Sequence, residues 1–216
     1  MTEVTSRVWI ALASGGLACF VVIVAVQGLL PGAVFDPAHQ TVSEYVHTSA
    51  LLMTIAFIAW ASSWALLASL GSTPLRGSSS ARLLFVQRIA FASTAIGLVL
   101  VACFATDRGL VEPGVVLRTT TAGRIHDASS ALVTVGILVA ALTGATLVGG
   151  RVRTLTLILI SIAVASDVLM LALGDPLPGI RQRILVTAGC LWQALWLATL
   201  WPVRFFQPPN PRATGR

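Results

Sequence analysis

Six long runs of apolar residues alternate with short polar segments along the chain. A bilayer core about 30 Å thick is crossed by roughly 20 residues of α-helix, and each run has about that length. We therefore predict an all-α fold, a polytopic membrane protein built as a bundle of six transmembrane helices. The predicted spans are residues 8–30, 50–71, 83–105, 125–148, 154–174 and 184–203.

The polar segments between the spans are too short to form a second domain. We expect one transmembrane domain over residues 1–204 and a disordered tail over residues 205–216, where Pro and polar residues dominate. The first run is also longer than the roughly 7–15 apolar residues of a signal peptide. It is therefore expected to remain as a span.

Composition supports the membrane prediction, because 56% of the 216 residues are hydrophobic and only 10% are charged. A soluble domain carries about 25% charged residues. All 14 basic residues are Arg, and they stand singly or in pairs between the apolar runs. Nucleic-acid-binding proteins instead cluster their basic residues on one face, so no nucleic-acid partner is expected.

The distribution of Arg predicts the orientation in the membrane, because cytoplasmic loops carry an excess of basic residues. A cytoplasmic N-terminus places nine Arg on the cytoplasmic side and five on the other side. We therefore predict a multi-pass protein of the cell membrane with both termini in the cytoplasm. The same topology places all three His and most acidic residues outside, namely Asp36, Glu44, Asp107, Glu112, Asp127 and Asp175.

The segment after the first span predicts a short interfacial helix. Asp36 is a favourable N-cap, and Pro37 fits the first helical position because it has no N–H to lose. Helical spacing then places His39, Ser43 and His47 on one face. That face either belongs to a site or lies in water at the membrane surface.

A second polar segment joins the third and fourth spans. Asp107 ends the third span, and His126 and Asp127 open the fourth, with Ser129 and Ser130 one turn further on. His is the side chain that titrates near neutral pH, so His126 is the candidate general base. The plainer interpretation is that Thr119 to Thr121 cap the helix and Asp127 interacts favourably with the helix dipole.

Asp167 lies inside the fifth span, about seven residues or roughly 10 Å from its outer end. A carboxylate there costs about 2.5–3.5 kcal/mol on insertion scales, so it must face the bundle interior and either find a partner or be protonated. Arg181 and Arg183 follow a Pro/Gly turn and suit a phosphate or a carboxylate. Trp192 and Trp196 either line a pocket beside Asp167 or pack in the core.

Three of these segments, DPAHQTVSEY, TD before GRIHD, and DPLPGIRQR, resemble the membrane family called domain of unknown function 998. The resemblance covers residues 15–203 and implies a six-span bundle of bacteria and archaea without an assigned activity. His39 and His47 lie outside the family pattern. The positions that match it are Asp36, Gln40, Ser43, Glu44, Asp107, His126, Gly179 and Arg183.

Two functions remain open, and whether the protein is an enzyme is not decided. The first is an outward-facing polar pocket that binds a membrane lipid or another small amphiphile. The second is a lipid-modifying enzyme or hydrolase, with His126, Asp127, Asp107 and Ser43 as catalytic residues. The binding residues would be Asp36, Gln40, Glu44, Asp167, Arg181, Arg183, Trp192 and Trp196.

No cofactor is expected from the sequence. A zinc site is the alternative, but the late spans lack an HxxxH pair, so such a site would have to recruit His39 and His47 beside His126. A haem carrier needs axial His on facing helices, and only His126 stands near a span. The oligomeric state is left open.

Overall fold

The computed structural model describes residues 3–29, 38–70, 81–107 and 120–201. In this part of the chain every regular element is helical, which confirms the predicted all-α bundle, and six helices are long and apolar enough to cross a membrane. They are α1 (Glu3–Leu29), α2 (Val46–Leu70), α3 (Ala81–Cys103), α4 (Thr121–Leu147), α5 (Gly150–Ala172) and α6 (Pro178–Leu200).

The helices form a closed ring in which each helix contacts the next one along the chain, and α6 returns to contact α1. We call the end where α1, α3 and α5 finish and α2, α4 and α6 begin the polar end of the bundle. The ring is uneven, because only 11% of the most apolar window of α5 is buried, against 44% for α2, α3 and α6. Helix α5 is therefore a peripheral helix.

The core is aromatic and lies where α6 faces α2 and α3. The Trp192 ring stacks at 5.8 Å on Trp64 of α2 and lies 6.3 Å from Phe91 of α3. Trp196 stacks at 6.0 Å on Trp192, and Gly144 of α4 leaves room for both indoles. Of the two interpretations of Trp192 and Trp196, the structure therefore places both side chains in the core.

Small residues allow the helix backbones to approach closely, as is common in membrane bundles. A Cβ atom at Gly16 of α1 would overlap the carbonyl oxygen of Ala59 in α2. One at Gly136 of α4 would overlap the hydroxyl of Thr94 in α3. These two contacts fix the spacing of α1 with α2 and of α3 with α4.

The short interfacial helix differs from its prediction. A turn at 38–39 is followed by a separate 3₁₀ turn, Val42–Tyr45, and the backbone again leaves helical geometry at Ser49. His39, Ser43 and His47 therefore do not share one helical face. The predicted cap, Asp36 with Pro37, lies outside the described residues, as does the predicted tail over 205–216.

Candidate functional site

Residues 38–45, which we call the strap, lie against the first turns of α6. The carbonyl of Ala38 accepts a hydrogen bond from the backbone N–H of Ile180 at 3.2 Å. The side-chain oxygen of Gln182 accepts one from the backbone N–H of Val42 at 2.5 Å. These bonds join two segments that are far apart in sequence, so the strap has a fixed position at the polar end.

Arg183 is the main side chain that holds the strap. Its Nη1 donates to the carbonyls of Gln40 at 2.6 Å and Gly179 at 3.1 Å. Its Nη2 donates to the Tyr45 hydroxyl at 2.7 Å, and the guanidinium lies over the Tyr45 ring. Gln40, Gly179 and Arg183, three positions of the family pattern, therefore belong to one structural contact.

Glu44 stabilises the turn of the strap through hydrogen bonds to Thr41. Its side chain is buried and accepts hydrogen bonds from the backbone N–H of Thr41 at 3.2 Å and from the Thr41 hydroxyl at 2.9 Å. The Thr41 and Ser43 hydroxyls lie 3.0 Å apart. This capping box starts the 3₁₀ turn, which explains why the predicted helix does not run through the segment.

Asp107 joins the end of α3 to the start of α4. Its carboxylate accepts two hydrogen bonds from Thr120, one from the hydroxyl and one from the backbone N–H, both at 2.6 Å. Thr120 in turn caps α4 by accepting from Gly123 N–H at 3.1 Å, which confirms the predicted Thr cap. The Thr120 hydroxyl, followed by its N–H, holds the pKa of Asp107 below its ordinary value.

His126 is buried at the start of α4, with only 3% of its surface exposed. Its Nδ1 lies 2.7 Å from the carbonyl oxygen of Phe104. A carbonyl only accepts hydrogen bonds, so Nδ1 carries the proton of this bond, and in the tautomer that has its proton on Nδ1 the Nε2 atom is an acceptor. Within the described residues Nε2 has no hydrogen-bond partner.

Asp167 forms an ion pair, so of the two predicted alternatives, a partner or protonation, the structure shows the partner. Arg181 Nη1 lies 3.1 Å from its carboxylate, and Nη2 of the same guanidinium lies 3.0 Å from Asp175. Asp175 adopts a left-handed backbone with φ of 55° directly after Gly174, a conformation that Asp tolerates better than most residues. The α5–α6 turn thus places two carboxylates around Arg181.

A cavity of about 410 Å³ opens at the polar end between the strap and α4, α5 and α6. It brings together residues from all three polar segments of the sequence. Its polar lining includes Ser43, His126, Asp127, Asp167, Arg181 and Gln182.

A second, narrower pocket of about 60 Å³ adjoins the cavity. The two share Ser43, Ser130, Thr134, Gln182 and Leu185 in their walls. The rest of the second pocket is almost entirely apolar, with Phe57, Trp60, Leu98 and Val101 among its lining residues. One end of this combined space is therefore polar and the other apolar.

The structure does not bring all predicted site residues together. Asp107, Gln40, Glu44 and Arg183 hold the loops that surround the cavity, and Trp192 and Trp196 lie in the core. Of the carboxylates predicted at this end, Asp107 contacts Thr120, and Asp36 lies outside the described residues. Asp127, Asp167, Arg181, Ser43 and His126 line the cavity.

The alternative of a zinc site finds no support in the described ranges. They contain no group of three or more His, Cys, Asp or Glu side chains that could hold a metal ion. His39 and His47 therefore do not form a three-His group with His126.

The sequence interpretation missed a buried polar chain in the middle of the bundle. Trp60 Nε1 donates to the side-chain oxygen of Gln193 at 2.8 Å, and Gln193 Nε2 donates to the Ser63 hydroxyl at 2.7 Å. Ser63 donates to the carbonyl of Ala13 at 2.6 Å. A Gln inside an apolar span was the available signal, since such residues hydrogen-bond across helices.

Comparison with known families identifies the chain. Residues 14–199 match the model of a family described as a protein of unknown function, DUF998. Comparison with curated proteins and with solved structures gives no match. The family match covers most of the sequence and all six helices in whole or in large part, so this chain is a member of the DUF998 family of membrane proteins.

Proposed function

We propose that the protein binds an amphiphilic molecule, such as a membrane lipid, in the cavity at the polar end. The observation that carries the proposal is the adjoining pair of pockets. The larger one is lined by His126, Asp127 and the Asp167–Arg181 pair, and the smaller one by Phe57 and other apolar side chains. A head group suits the first environment, and a hydrocarbon chain suits the second.

The size and position of the cavity support this proposal. Sites for small molecules occupy about 300–1,000 Å³ and combine apolar walls with a few placed polar groups, and the cavity has about 410 Å³. It borders α5, the helix with the least buried span. An amphiphile in the surrounding bilayer would therefore reach the cavity by passing only one peripheral helix.

The polar end is proposed to face outward, in a cell membrane, with both termini in the cytoplasm. The support is the unequal distribution of Arg along the sequence. Alkaline phosphatase fused after residue 201 should be inactive, because the enzyme folds only outside the cytoplasm, and a green fluorescent protein at the same place should be fluorescent. The reverse pattern would place the polar end in the cytoplasm.

Native mass spectrometry of the protein released from a mild detergent tests the binding. The substitution Ser130→Phe places a large ring in the wall shared by both pockets. Leu132→Phe on the same helix, at an exposed lipid-facing position, is the matched control. We expect a lipid adduct on wild type and on the control, and its loss in Ser130→Phe.

Adducts of equal intensity on all three proteins would contradict the proposal, because lipid would then bind outside the cavity. The same spectra report bound metal. A metal adduct that is present on wild type and absent on His126→Ala would indicate a metalloenzyme instead of a binding protein.

The second candidate function is a lipid-modifying enzyme or hydrolase, and the geometry of His126 favours it. Its Nδ1 is held by Phe104, and its free Nε2 is available as a general base. Ser130 lies one turn away on the same helix and lines the same cavity. Incubation with lipid esters should then yield a product that His126→Ala does not form, and equal product from both proteins would exclude this role.

A further inference from the structure

We infer that the cavity selects amphiphiles whose head group carries a protonated amine. This inference rests on the proposed binding function and specifies the ligand class of the same site. The sequence left a phosphate or a carboxylate as partners of Arg181 and Arg183, and Arg181 pairs with two carboxylates of the protein. The reason for this selectivity is the way in which the structure distributes the charges.

Carboxylates outnumber cations around the cavity. Two carboxylates, Asp127 and Asp167, and one guanidinium, Arg181, line it. A third carboxylate, Asp175, pairs with the same Arg181 from the α5–α6 turn. The charged residues that line the cavity therefore include one more carboxylate than guanidinium, which disfavours a phosphate and favours a cation.

The terminal nitrogens of both arginines are already bound to groups of the protein, and the unpartnered Nε of Arg181 is buried. Arg181 directs one terminal nitrogen to Asp167 and the other to Asp175, so its charge is already compensated twice. Arg183 directs its terminal nitrogens to the carbonyls of Gln40 and Gly179 and to Tyr45. It is not among the residues that line the cavity.

Asp127 and His126 are acceptors in the cavity lining that suit a cation. Within the described ranges, the Asp127 carboxylate has no hydrogen bond or ion pair. One residue earlier on α4, His126 is 97% buried, and its unpartnered Nε2 accepts a hydrogen bond when Nδ1 is bonded to Phe104. An ammonium group is a cation with N–H donors, so it satisfies both the charge of Asp127 and the acceptor of His126.

The test compares amphiphiles that share a 12-carbon chain and differ only in the head. Dodecylamine, dodecanol and dodecyl phosphate are titrated separately, and native mass spectrometry of the whole protein in neutral detergent gives apparent dissociation constants. We expect dodecylamine to bind about tenfold more tightly than dodecanol, as one charged hydrogen bond provides, and dodecyl phosphate to bind most weakly.

The substitution Asp127→Asn should remove most of the preference for the amine, and Asp127→Glu should retain it. Because Asp127 is exposed, these variants are expected to fold. Glu3 is the first residue of α1 and therefore lies at the end of the bundle opposite to the polar end. Glu3→Gln, which also removes one negative charge, is the matched control. It should leave all three affinities unchanged.

Equal affinities for the three amphiphiles, or a preference for dodecyl phosphate, would overturn the inference and leave the proposed binding function intact. Failure of all three to bind would instead contradict the binding function itself. Methylamine, which has the head group without a chain, should bind far more weakly than dodecylamine. Equal binding of the two amines would contradict an amphiphile and indicate a soluble amine as the ligand.

Discussion

Two parts of helix α6 have opposite environments, although they lie on the same face of the helix. The second half, which we call the closed half, carries Trp192, Gln193 and Trp196 into the core, where all three side chains are almost completely buried. The first half, which we call the open half, carries Arg181, Gln182 and Leu185 to the wall of the cavity at the polar end. The environment therefore changes along the axis of the helix, over about three turns.

This difference separates the residues that maintain the fold from those that meet a ligand. A filled core gains from every contact, whereas a cavity forgoes packing energy that the protein would obtain by closing it. Substitutions in the closed half should therefore lower stability, and those in the open half should change binding. The following predictions test that division.

The largest effect is expected for Trp192→Ala, which removes the side chain that stacks on Trp64 and Trp196. Loss of a buried Trp costs about 3–5 kcal/mol, so the melting temperature in detergent should fall markedly. Trp201→Ala, with 44% of the residue exposed, is the control and should melt like wild type. Equal melting temperatures of the two variants would show that the closed half of α6 is not the source of stability.

A smaller loss is expected for Gln193→Leu, which leaves Trp60 Nε1 without its acceptor and removes the bond to Ser63. Unsatisfied buried groups cost about 1–3 kcal/mol each. Gln87→Leu is the matched control, because Gln87 is equally buried but its Nε2 has no partner among the described residues. The melting temperature of Gln87→Leu should be near or above that of wild type, and that of Gln193→Leu should be lower. The opposite order of the two variants would contradict a stabilising role of the polar chain.

Gly123→Ala, at the start of α4, should lower the free energy of unfolding by about 1–2 kcal/mol, because the new Cβ would overlap the Asp107 carboxylate. Asp107 must then move away from Thr120 and weaken the cap of α4. At Gly15 the new Cβ would have no atom within 4 Å among the described residues outside its own stretch of helix, so Gly15→Ala should instead be neutral or stabilising. Denaturant or thermal unfolding of both variants would compare them, and equal stabilities would contradict the contact.

The smallest effect concerns pH. Because hydrogen bonds from Thr120 lower the pKa of Asp107, the ionised carboxylate stabilises the folded state above its ordinary pKa of 3.8. That contribution is lost as the pH falls through the lower pKa of the folded state. The difference in melting temperature between wild type and Asp107→Asn should be constant near neutral pH and shrink below about pH 4. If the difference in melting temperature instead grew as the pH fell, it would contradict a lowered pKa of Asp107.

The sequence was sufficient for features that depend on local pattern. The six spans, the Thr cap of α4 and the need of Asp167 for a partner followed from hydropathy, capping preference and the cost of a buried charge. The choice of partners was not accessible, because Arg181 and Arg183 are equivalent in sequence and only the α5–α6 turn directs Arg181 to Asp167. In the same way, Trp192 and Leu185 lie in one span, and only the packing of α2 and α3 decides which one is enclosed.

Photo-crosslinking with a diazirine-labelled 12-carbon amine tests the central claim most directly, because it shows which half of α6 the ligand contacts. After irradiation and proteolysis, mass spectrometry should locate adducts in residues 126–137 of α4 and 181–186 of α6, and excess dodecylamine should suppress them. Adducts spread over lipid-facing residues of α1 or α5, and unaffected by the competitor, would contradict a site in the cavity.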